Sequence, residues 1–302
     1  MTRRHFSLAL AAATVPASKT PLCGFSKHFQ WLALPEAAKL AASIGYDGLD
    51  LTLRKNGHIE PARVTGDLPQ AVEQVKAAGM AVPMVTTDIV DPQSPHAETV
   101  IKTLSQLGIK RYRWGGFRYD YAKPLPPQLD DAHRRSKDLA ALNKQYGVCA
   151  MYHTHSGRNQ LGASMWDIWY VLRGLDHSAV GVNLDIGHAT VEGGLGGWIN
   201  TTLLLAPITR GIAVKDFYWH KTARGWSPRW CGLGEGMVDF TQFLKMLKQA
   251  GFEGPVQVHM EYEELGAAHT GKSASTIPQD EFVRLCKRDL DNFRRFQREA
   301  GL

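Results

Sequence analysis

The chain has 302 residues, 44% of them hydrophobic and 21% charged, with a formal net charge of +6. That length suits one large α/β unit, which routinely occupies about 250 residues, and the composition is that of a globular protein with a sizeable core. A membrane-spanning class is excluded because no run reaches the roughly 18 to 20 apolar residues that cross a bilayer.

The opening "MTRRHFSLALAAATVPASKT" departs from that ordinary composition. Arg3 and Arg4 precede Phe6, an Ala/Leu-rich stretch runs from Ser7 to Ala13, and Val15-Pro16-Ala17 offers a small-residue exit. The order resembles a twin-arginine export signal over residues 1–17, with a mature chain over 18–302 acting in the periplasm or otherwise outside the cytoplasm. Two of the positive charges belong to that signal, so the remainder is only mildly basic. The last basic cluster, "NFRRFQREAGL", alternates with aromatics at helical spacing and reads as a solvated helix face rather than a nucleic-acid site.

From residue 22 onward, short apolar runs alternate with amphipathic segments. The predicted strands are, in order, "PLCGFSKH", "GLDLTLR", "AVPMVTT", "IKRYRWG", "VCAMYHTH", "VGVNLDIGH", "GIAVKDF" and "PVQVHMEY". The predicted helices between them include "PEAAKLAASIG", "LPQAVEQVKAAG", "HAETVIKTLSQLG", "AHRRSKDLAALNKQYG" and "FTQFLKMLKQAG". Several end on a glycine directly before the next strand, the left-handed stop that turns a helix back toward a sheet. The pattern predicts an α/β fold, a single (β/α)8 barrel without a domain boundary. The longer irregular pieces, such as "KTARGWSPRWCGLGEGMVD", follow strands and are expected as loops at the carboxyl mouth. Of the four cysteines, Cys23 and Cys149 lie in apolar strand-like runs where a buried thiol is expected, and one disulfide is compatible with an exported chain.

Ionisable residues gather at the carboxyl ends of the strands: His28, Asp50 with Arg54, Arg113, His153 with His155, Asp185 with His188, Lys215 with Asp216, and His259 with Glu261. Such groups are costly in a core unless paired, liganded or wet, so their convergence predicts a polar pocket. Strand alternation puts His153 with His155, Asn183 with Asp185, and His259 with Glu261 on shared faces. Imidazoles mixed with carboxylates bind Mn, Co or Zn, and oxygen-rich versions tolerate Mg, so a divalent metal ion is the expected cofactor. Asp50 and Asp216 are read equally well as turn caps.

With these residues in hand, the chain resembles the xylose isomerase-like barrel superfamily, the sugar phosphate isomerase/epimerase group. The resemblance rests on "NLDIGHA", "AVKDFYW", "LGEGMVDF" and "VHMEY" in that order and covers nearly the whole mature chain. It implies Asp185 and Glu261 as metal ligands, with Glu261 also the proton-transfer base and His188 touching substrate or supporting the site. The family's fifth-strand carboxylate is absent here, and His153 takes the ligand place. The imidazole usually found two residues before the lysine is replaced by Ala213.

The expected activity is therefore a metal-dependent isomerase, epimerase or lyase reaction on an unphosphorylated sugar or keto-sugar, by proton abstraction next to a carbonyl. Glu261, His188 and Lys215 are the candidate catalytic groups, and His153, Asp185 and Glu261 the candidate ligands. His28, Arg54, Arg113, His155 and Trp219 are candidate contacts to a small carbohydrate. The alternative is a non-catalytic sugar-binding barrel that has lost part of the metal site. Neither a nucleic-acid partner nor a membrane span is expected, and a homo-oligomer is left open.

Overall fold

A computed structural model describes residues 19–302, so the expected export signal over 1–17 lies outside the described residues. Runs of aliphatic residues buried on both faces make a parallel sheet wherever helices cover it. Eight such runs pair in parallel: β1 (Leu22–Phe25), β2 (Gly48–Leu53), β3 (Ala81–Thr87), β4 (Arg111–Trp114), β5 (Cys149–His153), β6 (Val180–Asp185), β7 (Thr209–Val214) and, late in the chain, β10 (Val256–Val258). The sheet closes where Leu22 registers with Val256, giving the barrel that the sequence predicts. The intervening strands β8 (Asp216–Thr222) and β9 (Gly225–Cys231) pair antiparallel as a separate hairpin.

Nine α-helices are described: α1 (Leu34–Ile44), α2 (Val64–Ala77), α3 (Ala97–Gln106), α4 (Leu125–Tyr146), α5 (Trp166–Leu172), α6 (Ile186–Gly193), α7 (Gly197–Leu205), α8 (Phe240–Gln249) and α9 (Gln279–Ala300). The predicted glycine stops are real: Gly45, Gly108, Gly147 and Gly251 all take positive φ. The main core lies between sheet and helices. A small second cluster of Met84, Cys149 and Met151 sits on the strand face that also carries His153. Cys23, Cys149 and Cys286 are buried free thiols, Cys231 is half-buried, and no disulfide forms among the described residues.

The structure corrects the sequence reading in three places, each where a strand is shorter than its apolar run. After Phe25 the chain enters a 3-10 turn over Ser26–Phe29, so His28 leaves strand geometry. After Val258 it leaves the strand again, so His259 and Glu261 are not bound by strand alternation. The stretch expected as an irregular loop after the seventh strand is mostly the β8–β9 hairpin, in which Phe217 faces Trp230 and Trp219 faces Pro228.

Two buried polar groups hold these departures in place. The Asp216 carboxylate accepts backbone N–H bonds from Phe217, Gly234, Gly236 and Val238 at 2.8–3.1 Å, tying the hairpin to the approach to α8. His28 is fully buried, and its Nε2 accepts from the Met260 amide at 3.1 Å. The proton therefore sits on Nδ1, which donates to the Ala268 carbonyl at 3.2 Å. Both ring nitrogens are spent on backbone, so His28 pins the segment after β10 and does not serve as the substrate contact expected of it.

Replacing Asp216 by Ala leaves four backbone donors without their acceptor and is expected to cost at least about 3 kcal/mol in urea unfolding, more than Asp216→Asn. Equal stability of the alanine variant and the parent would show that the loop finds other acceptors.

Burial pushes the His28 imidazole down to about 3. The unfolded chain takes up that proton below about pH 6.5, so the stability this group contributes is complete above that pH and is lost as pH falls from 6.5 toward 3. The expected contribution to the slope is about 1 kcal/mol per pH unit, and it should be missing in His28→Asn when unfolding is measured between pH 6.5 and 5. Identical slopes in the two proteins would contradict the buried neutral ring.

Candidate active site

β6 ends on Asp185, and the same residue caps α6, its Oδ1 accepting from His188 N at 3.1 Å. The cap uses one carboxylate oxygen and leaves the other, Oδ2, buried without a hydrogen-bond donor aligned on it. Around Oδ2 stand His153 Nε2 at 3.7 Å, His259 Nδ1 at 4.0 Å and Lys215 Nζ at 3.4 Å. Burial pushes the Asp185 carboxyl up to about 6, against the pull of Lys215.

The two imidazoles are oriented from behind. His153 Nδ1 lies 3.0 Å from Asn183 Oδ1, which fixes the proton there and turns the Nε2 lone pair toward Asp185. His259 Nε2 lies 3.0 Å from Glu261 Oε1, which leaves the Nδ1 lone pair facing the same carboxylate. Desolvation pushes both rings far below the ordinary histidine range, so both are neutral. His153, Asp185 and His259 place one ligand atom each within 4.8 Å of one another. Three neutral or anionic donors, buried and without a hydrogen bond on the ligand atom, are what a divalent cation requires, and two nitrogens with one oxygen suit Zn, Mn or Co better than Mg.

Lys215, just past β7, is buried, and its ammonium donates to Glu261 Oε2 and to His188 Nε2, both at 2.8 Å. His188 is thereby held neutral with its proton on Nδ1, from which it donates to Ser156 Oγ at 2.7 Å. His155 packs on His188 at 4.1 Å between ring centroids, and its Nδ1 lies 2.7 Å from the Ser156 carbonyl. The glycine of the Asp-Ile-Gly-His segment is required by this packing. A Cβ at Gly187 would collide with the Lys215 side chain and lie 2.8 Å from its carbonyl oxygen.

Glu261 is not in the triad. Its carboxylate is held by Lys215 and by Lys27 at 3.2 Å, and its side chain is 22% exposed where that of Asp185 is fully buried. Burial works to raise the Glu261 carboxyl, but His259, Lys215 and Lys27 outweigh it and hold the group well below the usual carboxylate range. The three donor atoms that converge are those of His153, Asp185 and His259, whereas the set expected from the sequence has Glu261 in the third place. Because Ala213 of β7 pairs with Gln257 of β10, His259 stands two residues along from the position across from Ala213 and brings an imidazole in from the segment just past the neighbouring strand.

Of the remaining expected residues, Arg54 and Arg113 flank Phe25, their guanidinium carbons 5.7 and 5.8 Å from its ring centre. Both line a mouth cavity of about 340 Å³ that also borders His153 and His155. Trp219 is more than a third exposed and touches Phe217, away from the cluster. The aromatic that does reach the cluster is Trp230, 4.7 Å from the Lys215 ammonium and 5.2 Å from the His188 ring. Asp50 caps no turn; it takes bonds from Thr86 and Gln257 inside the barrel. Sequence reasoning missed Lys27, which the 3-10 turn aims at Glu261 in place of His28. It also missed Trp230, which the alternation Trp226, Pro228, Trp230 could have marked as one face of a strand. A larger cavity, about 780 Å³, lies by α6 and α7 and contains none of the triad.

Among the described residues no helix is long and apolar enough to cross a membrane. An uncharacterized protein of Methanocaldococcus jannaschii, MJ1311, is 21% identical over 131 residues, and the match spans 43% of each chain, less than half the length of that relative. Three solved structures share the architecture at under 25% identity and so speak to fold alone. One is a Mycobacterium smegmatis xylose isomerase-like TIM barrel protein in complex with magnesium, 13% identical with a TM-score of 0.63 over 90% of this chain and 99% of that one. A D-allulose 3-epimerase from Methylomonas sp., in complex with D-allulose, is 15% identical with a TM-score of 0.64 over 92% and 97%. An IOLI protein with a bound zinc atom is 13% identical with a TM-score of 0.67 over 92% and 99%. The neighbours thus include a sugar epimerase and metal complexes. The model of the xylose isomerase-like TIM barrel family matches residues 38–280, and the chain belongs to that family.

Proposed function

We propose that the protein is a metal-dependent isomerase, epimerase or lyase that removes a proton next to the carbonyl of an unphosphorylated sugar or keto-sugar. The observation that carries this reading is an ionised, partly exposed Glu261 beside three buried donor atoms without hydrogen bonds on His153, Asp185 and His259. A divalent cation held by those three would polarise a sugar hydroxyl and the neighbouring carbonyl oxygen. Glu261 is the carboxylate of the cluster that reaches solvent, and it is the base in this account. Its partner ammonium on Lys215 continues through His188 to Ser156 in steps of 2.8, 2.8 and 2.7 Å, a contiguous path over which a proton can be held or passed. The Trp230 ring lies over the Lys215 ammonium, 4.7 Å away. The twin-arginine-like start supports action outside the cytoplasm, where phosphorylated sugars are scarce.

Divalent metal measured by mass spectrometry is expected at about one per chain, lost in Asp185→Ala and in His259→Ala and retained in Glu261→Gln. Metal that survives the His259 change but not the Glu261 change would restore the ligand set read from the sequence. In deuterated water, NMR of ketoses and keto-glycosides incubated with the metal-loaded protein is expected to reveal deuterium entering beside the carbonyl. Glu261→Gln should slow that entry by on the order of 100-fold or more. No exchange with any such sugar, or an undiminished rate in Glu261→Gln, would overturn the enzymatic reading.

A further inference from the structure

Half-buried arginines elsewhere in this fold spend their donors: Arg135 pairs with Asp91 and Arg288 with Glu235 and Asp289, while Arg111, Arg210 and Arg294 donate to backbone carbonyls. Arg113 has no carboxylate partner within 4.0 Å, and its Nη1 is shielded from solvent without any hydrogen-bond partner. Arg54, on the other flank of Phe25, is likewise without an ion pair among the described residues. Both guanidiniums border the mouth cavity, whose wall continues through Thr86 and Thr87 to His153. Phe25 in turn stacks edge-on against His259 at 5.1 Å, so the unspent positive charge lies about one sugar ring from the triad.

We infer that this cavity takes the carboxylate of a sugar acid, gripped by Arg113 and Arg54 while the carbon skeleton reaches toward Glu261. The inference rests on the proposed sugar chemistry for its substrate class and adds the charge of that substrate.

A bare guanidinium beside a reaction site calls for an oxyanion, because its fork of N–H donors matches a carboxylate with two parallel bonds. Asp50 acts on the Arg113 guanidinium electrostatically but makes no ion pair with it within 4.0 Å. It is engaged by Thr86 and Gln257, and burial pushes its carboxyl up to about 6. Arg118, at the rim, adds a third positive group, although it is directed toward Asn159. Asp88 on the same wall is the single carboxylate facing the cavity, and it disfavours a phosphate dianion more than a monoanion. No helix N-terminus lines the cavity to supply the backbone donors that phosphate sites use.

The test is calorimetric titration of the full chain, stripped of metal with chelator so that a carboxylate cannot gain by ligating a cation. D-glucuronate and D-galacturonate are compared with D-glucose and D-galactose, and inorganic phosphate is titrated as a separate probe. The acids are expected to bind at least about tenfold more tightly than their neutral counterparts, as for a charged hydrogen bond gained. That preference should vanish in Arg113→Met and shrink in Arg54→Met, with circular dichroism confirming the fold. It should persist in Glu261→Gln, which separates this inference from the assignment of the base. Equal affinity for acids and neutral sugars in the parent protein would overturn it, as would a preference unchanged in both arginine variants. Phosphate binding tighter than either uronate and lost in Arg113→Met would overturn the carboxylate assignment. Loss of deuterium exchange alongside an intact acid preference would sink the proposed reaction and leave this inference standing.

Discussion

A lysine ammonium taken out of water has to be met by anions and acceptors on every side, and Lys215 is met by Glu261, Asp185 and His188 at once. Most of the site follows from that requirement. The ammonium keeps Glu261 ionised, and its donation to Nε2 selects the His188 tautomer that reaches Ser156. Its side chain occupies the space where a Cβ at Gly187 would stand, which ties the Asp-Ile-Gly-His turn after β6 to the lysine after β7. Removing one partner would strand a buried charge, a cost of several kcal/mol, so the group behaves as one unit rather than as separate residues.

The charges close locally. Asp185 and Glu261 face Lys215 and Lys27, while the imidazoles of His153, His188 and His259 are kept neutral by burial. The lone pairs of His153 and His259 are therefore free for a cation, and Arg54 and Arg113 act on the cluster only through space, without an ion pair within 4.0 Å. The His–Asp–His triad and the two arginines thus lie at different parts of one mouth. In the proposed reading, one end would polarise oxygen once a cation is bound, and the other would hold an anion near it.

Much of this was legible in the sequence. The eight apolar runs, the glycine stops and the polar residues at the strand ends identify the barrel and its active end, because burial and chain reversal are local demands that composition records. Position at the strand ends singled out Asp185, His153, His188, Lys215 and Glu261, which the fold brings into one cluster. The exchange of Glu261 for His259 was not legible, because alternation ceases to apply once β10 ends at Val258, and the bond from Met260 to His28 re-aims the segment. Lys27 and His28 traded places for a similar reason, the 3-10 turn that follows Phe25. Trp230 was hidden because its stretch, rich in glycine and arginine, reads as loop until cross-strand pairing with Phe217 makes it a hairpin.

Anomalous diffraction at the zinc edge, from crystals of the full chain grown with zinc, tests the central arrangement most directly. The account predicts one strong peak within bonding distance of His153 Nε2, Asp185 Oδ2 and His259 Nδ1, with Glu261 still held by Lys215. A peak ligated by Glu261 with Lys215 displaced, or no peak beside Asp185, would contradict it.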